Sequence, residues 1–209
     1  MSMPRGIVTA LLALCCLAAA SQALARGPFY VGASAGRSDI DNEIVFPGLI
    51  TSGTADGKDT GYKIFGGYEF NQYFGVEISL VDLGKVKYSG SYLGAPVTGG
   101  RVEVVGLNGS AVGIVPVNES FSLFGKLGIF AWEARWSDVT GGLPQRATDN
   151  GADLSIGAGF TVNFTKNFSA RLEWERFKAG GGEDYGTGFP NLTSSANIDF
   201  VSFGLLFKF

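Results

Sequence analysis

The chain has 209 residues, a formal net charge of −3, 45% hydrophobic residues and 17% charged ones. These bulk values suit one ordinary domain and choose neither water nor lipid as its solvent, while the lack of excess basic charge argues against a nucleic-acid partner. The 32 glycines and 13% aromatics favour extended strands, in which small residues alternate with bulky ones, over helical bundles.

The first 25 residues read as a targeting segment. Arg5 supplies a positive start, Ile7 to Ala20 an apolar stretch, and Ala23-Leu24-Ala25 a small-residue cleavage site. That stretch is shorter than the roughly 20 apolar residues a membrane helix needs. The expected organisation is therefore a cleaved signal peptide over 1–25 and a single domain over 26–209. Both cysteines, Cys15 and Cys16, fall in the removed segment, which leaves no disulfide, thiolate nucleophile or Cys metal ligand in the mature chain. Leu14 before Cys15 is the wrong residue for a lipidated cysteine. Gly, Asp, Glu, Lys or Asn interrupts every later apolar run, so no other segment resembles a transmembrane helix.

Period-two alternation predicts eight strands, taken here in chain order. The first two are Phe29 to Ser38 and Gly61 to Phe70. In the third, Phe74, Val76, Ile78 and Leu80 oppose Gly75, Glu77 and Ser79. The fourth, Arg101 to Val115, has small and branched residues on both faces and rests partly on its position; the fifth is Phe121 to Trp136. The sixth separates most cleanly, with Ala152, Leu154, Ile156, Ala158, Phe160, Val162 and Phe164 opposing Asp153, Ser155, Gly157, Gly159, Thr161 and Asn163. In the seventh, Phe168, Ala170, Leu172 and Trp174 oppose Ser169, Arg171, Glu173 and Glu175. The last sets Val201, Phe203, Leu205, Phe207 and Phe209 against Ser202, Gly204, Leu206 and Lys208, with Leu206 out of pattern. Each segment is about long enough for a tilted strand to cross a thin bilayer.

Short links at 71–73, 116–120 and 165–167 alternate with long polar links near 39–60, 84–100, 137–150 and 178–196. That rhythm predicts an all-β fold, an eight-stranded antiparallel up-and-down transmembrane β-barrel of the Gram-negative outer membrane. Pro47, Pro96, Pro144 and Pro190 fall one in each long link, away from the predicted strands, where a missing N–H would go unsatisfied in lipid. An even strand number puts both termini on the periplasmic side and four loops outside. Phe29, Tyr73, Phe74, Phe121, Phe164, Phe168 and Phe209 then form an inner aromatic girdle, and Trp132, Trp136 and Trp174 an outer one.

The stretch Gly106 to Pro116 (GLNGSAVGIVP), followed by Phe121 to Gly128 (FSLFGKLG), resembles the central hairpin of the OmpA-type family of small outer-membrane barrels. The opening Phe29 to Gly32 and the closing Phe207 to Phe209 are similar to family members, and the resemblance extends over the mature chain. It implies that Val201, Phe203, Leu205, Phe207 and Phe209 form the signal read by the barrel-assembly machinery, with periplasmic chaperones as earlier partners. It also implies contact with outer-membrane lipid and lipopolysaccharide. Larger members carry a peptidoglycan-binding domain that finds no counterpart before Phe209, so cell-wall tethering is not expected.

Strand phase points Lys63, Glu69, Glu77, Lys126, Arg171, Glu173 and Glu175 inward. An eight-stranded barrel has room only for side chains, so these charges are expected to pair, as a static polar filling by default and as a gate by the resemblance. With no histidine in the chain, Ser-His-Asp triads and His-ligated metals are excluded; Glu173 and Glu175 fit lumen filling better than acid/base catalysis. No enzyme activity, cofactor or metal is expected. The run Gly53 to Asp59 lacks the spacing of a phosphate loop. Acidic residues Asp39, Asp41, Glu43, Asp56 and Asp59 read as ordinary solvated loop charge, with specific cation binding as the minor alternative. The leading expectation is a monomeric barrel with a structural or surface-interaction role. The alternatives are a small porin-like or hydrophobic-solute channel and an adhesin whose loops meet an unidentified surface ligand.

Overall fold

The computed structural model describes residues 28–40, 50–92, 95–140, 143–179 and 196–209. Its strand segments are β1 (Phe29–Ile40), β2 (Ile50–Asp56), β3 (Lys58–Glu69), β4 (Phe74–Tyr92), β5 (Ala95–Pro116), β6 (Phe121–Thr140), β7 (Leu143–Asn163), β8 (Phe168–Ala179) and β9 (Ala196–Lys208). All pairings are antiparallel: β1 pairs with β3, both β2 and β3 pair with β4, each strand from β4 to β8 pairs with the next, and β1 closes on β9 with Ala35 opposite Phe203. Eight staves thus form a closed barrel, because β2 only prolongs β3 past Gly57 to pair with the far part of β4. Closure leaves every spanning backbone group a partner, which lipid demands.

Side-chain chemistry makes the three short turns. The Asn71 carboxamide oxygen accepts from the N–H groups of Tyr73 (2.8 Å) and Phe74 (3.0 Å), Asn118 accepts from Ser120 (2.9 Å), and the Thr165 hydroxyl accepts from Phe168 (2.9 Å). These local bonds reverse the chain without needing any tertiary contact. A bulge at Gly84 bends β4 as it passes from β3 to β2, since the register shifts between Asp82 and Lys85 and Gly84 has φ of 80°. Asp59 secures it by accepting from the Lys85 N–H at 2.8 Å.

The sequence expectation fails at three of the four long links, the first of which, 39–60, holds β2 and the start of β3. Residues 84–100 and 137–150 belong mostly to continuous strands, so β4, β5, β6 and β7 run 19, 22, 20 and 21 residues while β1, β3, β8 have 12 and β9 has 13. Among the described residues, at about 3.3 Å per residue, β4 to β7 are roughly 27 Å longer along their tilted axes, which is about 20 Å of extra height on that side of the wall. Pro96 and Pro144 are therefore strand residues, second in β5 and β7, where the ladder is just beginning. Polar, glycine-rich composition hid these ribbons, because without a row of apolar residues there is no alternation to follow. The residues Pro47 and Pro190, and the segment 180–195, lie outside the described residues.

Outward side chains around the wall are apolar and exposed, including Val76, Ile78, Leu127, Ile129, Leu154, Phe203 and Leu205. Exposed Phe29, Tyr73, Phe74, Phe164 and Phe168 ring the short-turn end, with Phe121 and Phe209 half-buried. A water-soluble barrel would invert this arrangement, so the band faces hydrocarbon.

Candidate functional site

The lumen has two layers. Near the short turns, Lys63 on β3, Glu77 on β4, Lys126 on β6 and Arg171, Glu173 and Glu175 on β8 converge from four staves and are all buried. Lys63 joins Glu173 and Glu175; Lys126 joins Glu173, reaches Glu77 at 2.5 Å and Glu175 at 3.7 Å; Arg171 donates to Glu77 at 2.6 Å. Three cations meet three carboxylates, so the cluster is neutral as drawn. Desolvating six charges is expensive, and only mutual pairing of this completeness makes it tolerable.

Aromatic rings hold the network in place. The Tyr30 hydroxyl donates to Glu77 at 2.9 Å, and the Arg171 guanidinium lies 4.6 Å from the Phe124 ring centre and 5.0 Å from that of Phe65. Glycines opposite make the space: a Cβ on Gly159 would stand 2.7 Å from the Phe124 ring, and one on Gly157 2.9 Å from the Glu175 side chain. Beneath Arg171 a cavity of about 250 Å³ opens toward the short turns, lined by Tyr30, Phe124, Thr161 and Leu206 among others. Leu206, the residue out of pattern in the sequence, faces inward and packs with Tyr30 and Phe65.

The other layer was not anticipated. Toward the long hairpins the lumen is filled by Val81, Leu83, Val102, Val104, Phe130, Trp132, Phe177, Ile198 and Phe200, and Leu83, Phe130, Phe177 and Phe200 have no exposed surface at all. The polar filling expected of the inward charges is thus confined to one end of the lumen, and the other end is apolar. Trp132 is also corrected from outer girdle to interior; it is 3% exposed and donates to Asp153 at 2.8 Å. The signal existed, since Trp132 and Phe130 share the parity of Lys126 on β6. Trp174 does lie on the outer face, while the Trp136 side chain lies outside the described residues.

Of the seven inward charges expected, six meet in the network and Glu69 does not. It pairs with Lys208 at 2.7 Å near the short-turn mouth, several residues along β3 from Lys63. In the C-terminal row, Val201, Phe203 and Leu205 are exposed on the outer face, and Phe207 packs on Phe168 and Phe209 at ring-centre distances of 5.0 and 5.2 Å. Ala23 and Ala25 lie outside the described residues, as do Asp41 and Glu43. Among the other acidic positions, Asp39 pairs with Lys58 at 3.7 Å and Asp59 binds backbone N–H groups, which accounts for both without a cation.

A closed antiparallel barrel with an apolar outer belt and a charge-paired lumen defines an integral β-barrel of the outer-membrane type. The chain belongs to that family: residues 7–209 match the outer membrane protein beta-barrel domain. It is 28% identical over 180 residues to outer membrane protein A of Serratia marcescens and 27% identical over 176 residues to that of Salmonella typhi, in each case across 83% of this chain. The chain spans about half the length of these relatives, 49% and 48%. Among solved structures it shares its fold with the attachment invasion locus protein Ail of Yersinia pestis (TM-score 0.54, 18% identity, 88% of this chain and 99% of that one). It likewise shares it with Neisserial surface protein A (TM-score 0.56, 16% identity, 87% and 97%).

Proposed function

We propose that this protein is a closed, non-conducting outer-membrane barrel that carries the taller β4 to β7 wall as a surface for interaction. One observation carries the reading: a neutral, paired charge layer lies beneath an apolar layer whose Phe130, Phe177 and Phe200 side chains have no exposed surface. An ion would have to separate buried pairs and then cross a dry constriction. The barrel acts as a monomer without cofactor or catalysis, consistent with the absence of histidine and with relatives that are structural barrel proteins.

The short turns and both termini face the periplasm and the hairpins face outward, following the rule that periplasmic turns are short. Export proceeds by cleavage after Ala25, and the alternating row that ends at Phe209 addresses the chain to the assembly machinery. Single cysteines at Lys87 and Glu119 test the orientation. A membrane-impermeant maleimide applied to intact cells is expected to label Lys87→Cys and spare Glu119→Cys, and the reverse result would overturn it.

The pore reading is favoured by the cavity below Arg171, which already opens part of the path. Planar-bilayer recordings of refolded protein separate the two. Silence is expected for the wild type and for Lys126→Ala alike; reproducible ion-selective steps that vanish in Lys126→Ala would replace the closed barrel with a channel.

A further inference from the structure

We propose that the cavity beneath Arg171 binds a small monocarboxylate with a short apolar body, which enters through the short-turn mouth of the barrel. Its carboxylate seats on the edge of the Arg171 guanidinium that the charge layer leaves unused.

Of the six charges in the paired layer, Arg171 alone lines the cavity. Its Nη1 donates to Glu77 at 2.6 Å, whereas the buried Nε has no hydrogen-bond partner and Nη2 bonds no carboxylate among the described residues. Nε and Nη2 carry parallel N–H bonds on the side of the guanidinium away from Nη1, a fork that grips one carboxylate through both oxygens. Arg176 makes this grip elsewhere in the chain, giving Nε to one Asp199 oxygen at 2.8 Å and Nη2 to the other at 2.7 Å. A donor left buried without an acceptor costs free energy, which an oxygen arriving through the cavity recovers. The Phe124 and Phe65 rings, at 4.6 and 5.0 Å, keep the fork in place while it waits.

The walls choose the rest of the ligand. Val112, Ile114, Phe124 and Leu206 offer apolar surface below the guanidinium. Glu69 and Glu119 border the same space as Arg171 and Lys208, and Glu69 holds Lys208 at 2.7 Å. A dianion such as phosphate would therefore bring a second charge that nothing in the cavity neutralises. At about 250 Å³ the space suits a ligand the size of benzoate and excludes a long-chain fatty acid. Binding there depends neither on the barrel being closed nor on which side of the membrane the mouth meets; the bilayer recordings and the maleimide labelling read those separately.

Refolded protein labelled with ¹⁵N-arginine is titrated in non-ionic detergent with benzoate, benzyl alcohol, acetate and inorganic phosphate at constant pH and ionic strength, and the arginine Nε–H signals are followed by NMR. The Arg171 signal is the one missing from Arg171→Lys. Benzoate is expected to move it saturably, acetate and phosphate to bind at least tenfold more weakly, and benzyl alcohol, which has the body without the anion, to leave it in place. Ile114→Trp, which fills the cavity and removes no charge, is expected to weaken benzoate binding at least tenfold. Wild-type spectra in which benzoate moves no arginine signal would overturn the site without recourse to any variant. So would a response to benzyl alcohol equal to that of benzoate, acetate or phosphate binding as tightly as benzoate, or unchanged benzoate binding by Ile114→Trp that is folded by heat-dependent gel mobility.

Discussion

Near the short turns the lumen is filled by three carboxylates and three cations; toward the hairpins the same tube is filled by phenylalanine, isoleucine, leucine and valine. Both layers are buried and both use glycine on the facing stave to admit a bulky neighbour. They differ in how they fail. A charge layer is stable only while complete, because one deletion strands a buried partner, whereas an apolar layer loses stability in proportion to the contacts removed. This difference teaches why the paired layer draws residues from four staves: no single strand can balance it.

The comparison can be broken most sharply at Glu77, which serves Lys126, Arg171 and Tyr30 together. Glu77→Ala is expected to cost about 3–5 kcal/mol in urea unfolding from lipid vesicles. A cost below about 1 kcal/mol would mean the cations escape to water and the layer is not sealed. In the apolar layer, Leu83→Ala is expected to cost about 2–4 kcal/mol by the same assay, with planar bilayers still silent because Phe130 and Phe177 remain in contact.

The glycine prediction contrasts inside with outside. A Cβ on Gly61 would lie 2.7 Å from the Phe200 ring and 2.9 Å from the Asp82 carbonyl oxygen, whereas one on Gly109 meets nothing within 4 Å. Gly61→Ala is therefore expected to lose about 1–3 kcal/mol while Gly109→Ala is unchanged or slightly more stable. The smallest effect is expected from converting one ion pair to apolar packing. Lys63→Met with Glu175→Leu keeps Glu77 and Glu173 balanced against Lys126 and Arg171, and should shift unfolding by less than about 1 kcal/mol. A loss as large as that of Glu77→Ala would show that the network acts as one unit.

The girdle has its own check. Brominated lipids are expected to quench a larger fraction of the emission of Trp132→Phe than of the wild type, since the substitution removes an indole inside the wall and leaves Trp174 outside it.

Parity was legible wherever one face of a strand is polar. Phe74 to Leu80 and Phe168 to Glu175 announced both their strand and their inward side, and with them Glu77, Arg171, Glu173 and Glu175. On β6 the rule weakens, because Leu127 and Ile129 on one face and Phe130 and Trp132 on the other are equally greasy; only Lys126 marks the inside. The ribbons over 84–100 and 137–150 were illegible, since polar, glycine-rich stretches carry no sustained apolar alternation.

The sequence alone determined that the chain makes a closed antiparallel barrel with a lipid-facing belt, because period-two hydropathy and turn chemistry are local properties. Only the tertiary structure decided which charges pair, that Glu69 stands apart with Lys208, and that an apolar layer caps the lumen. Those facts depend on stave register, which sets neighbours as far apart in the chain as Lys63 and Glu173, and no local pattern encodes that distance.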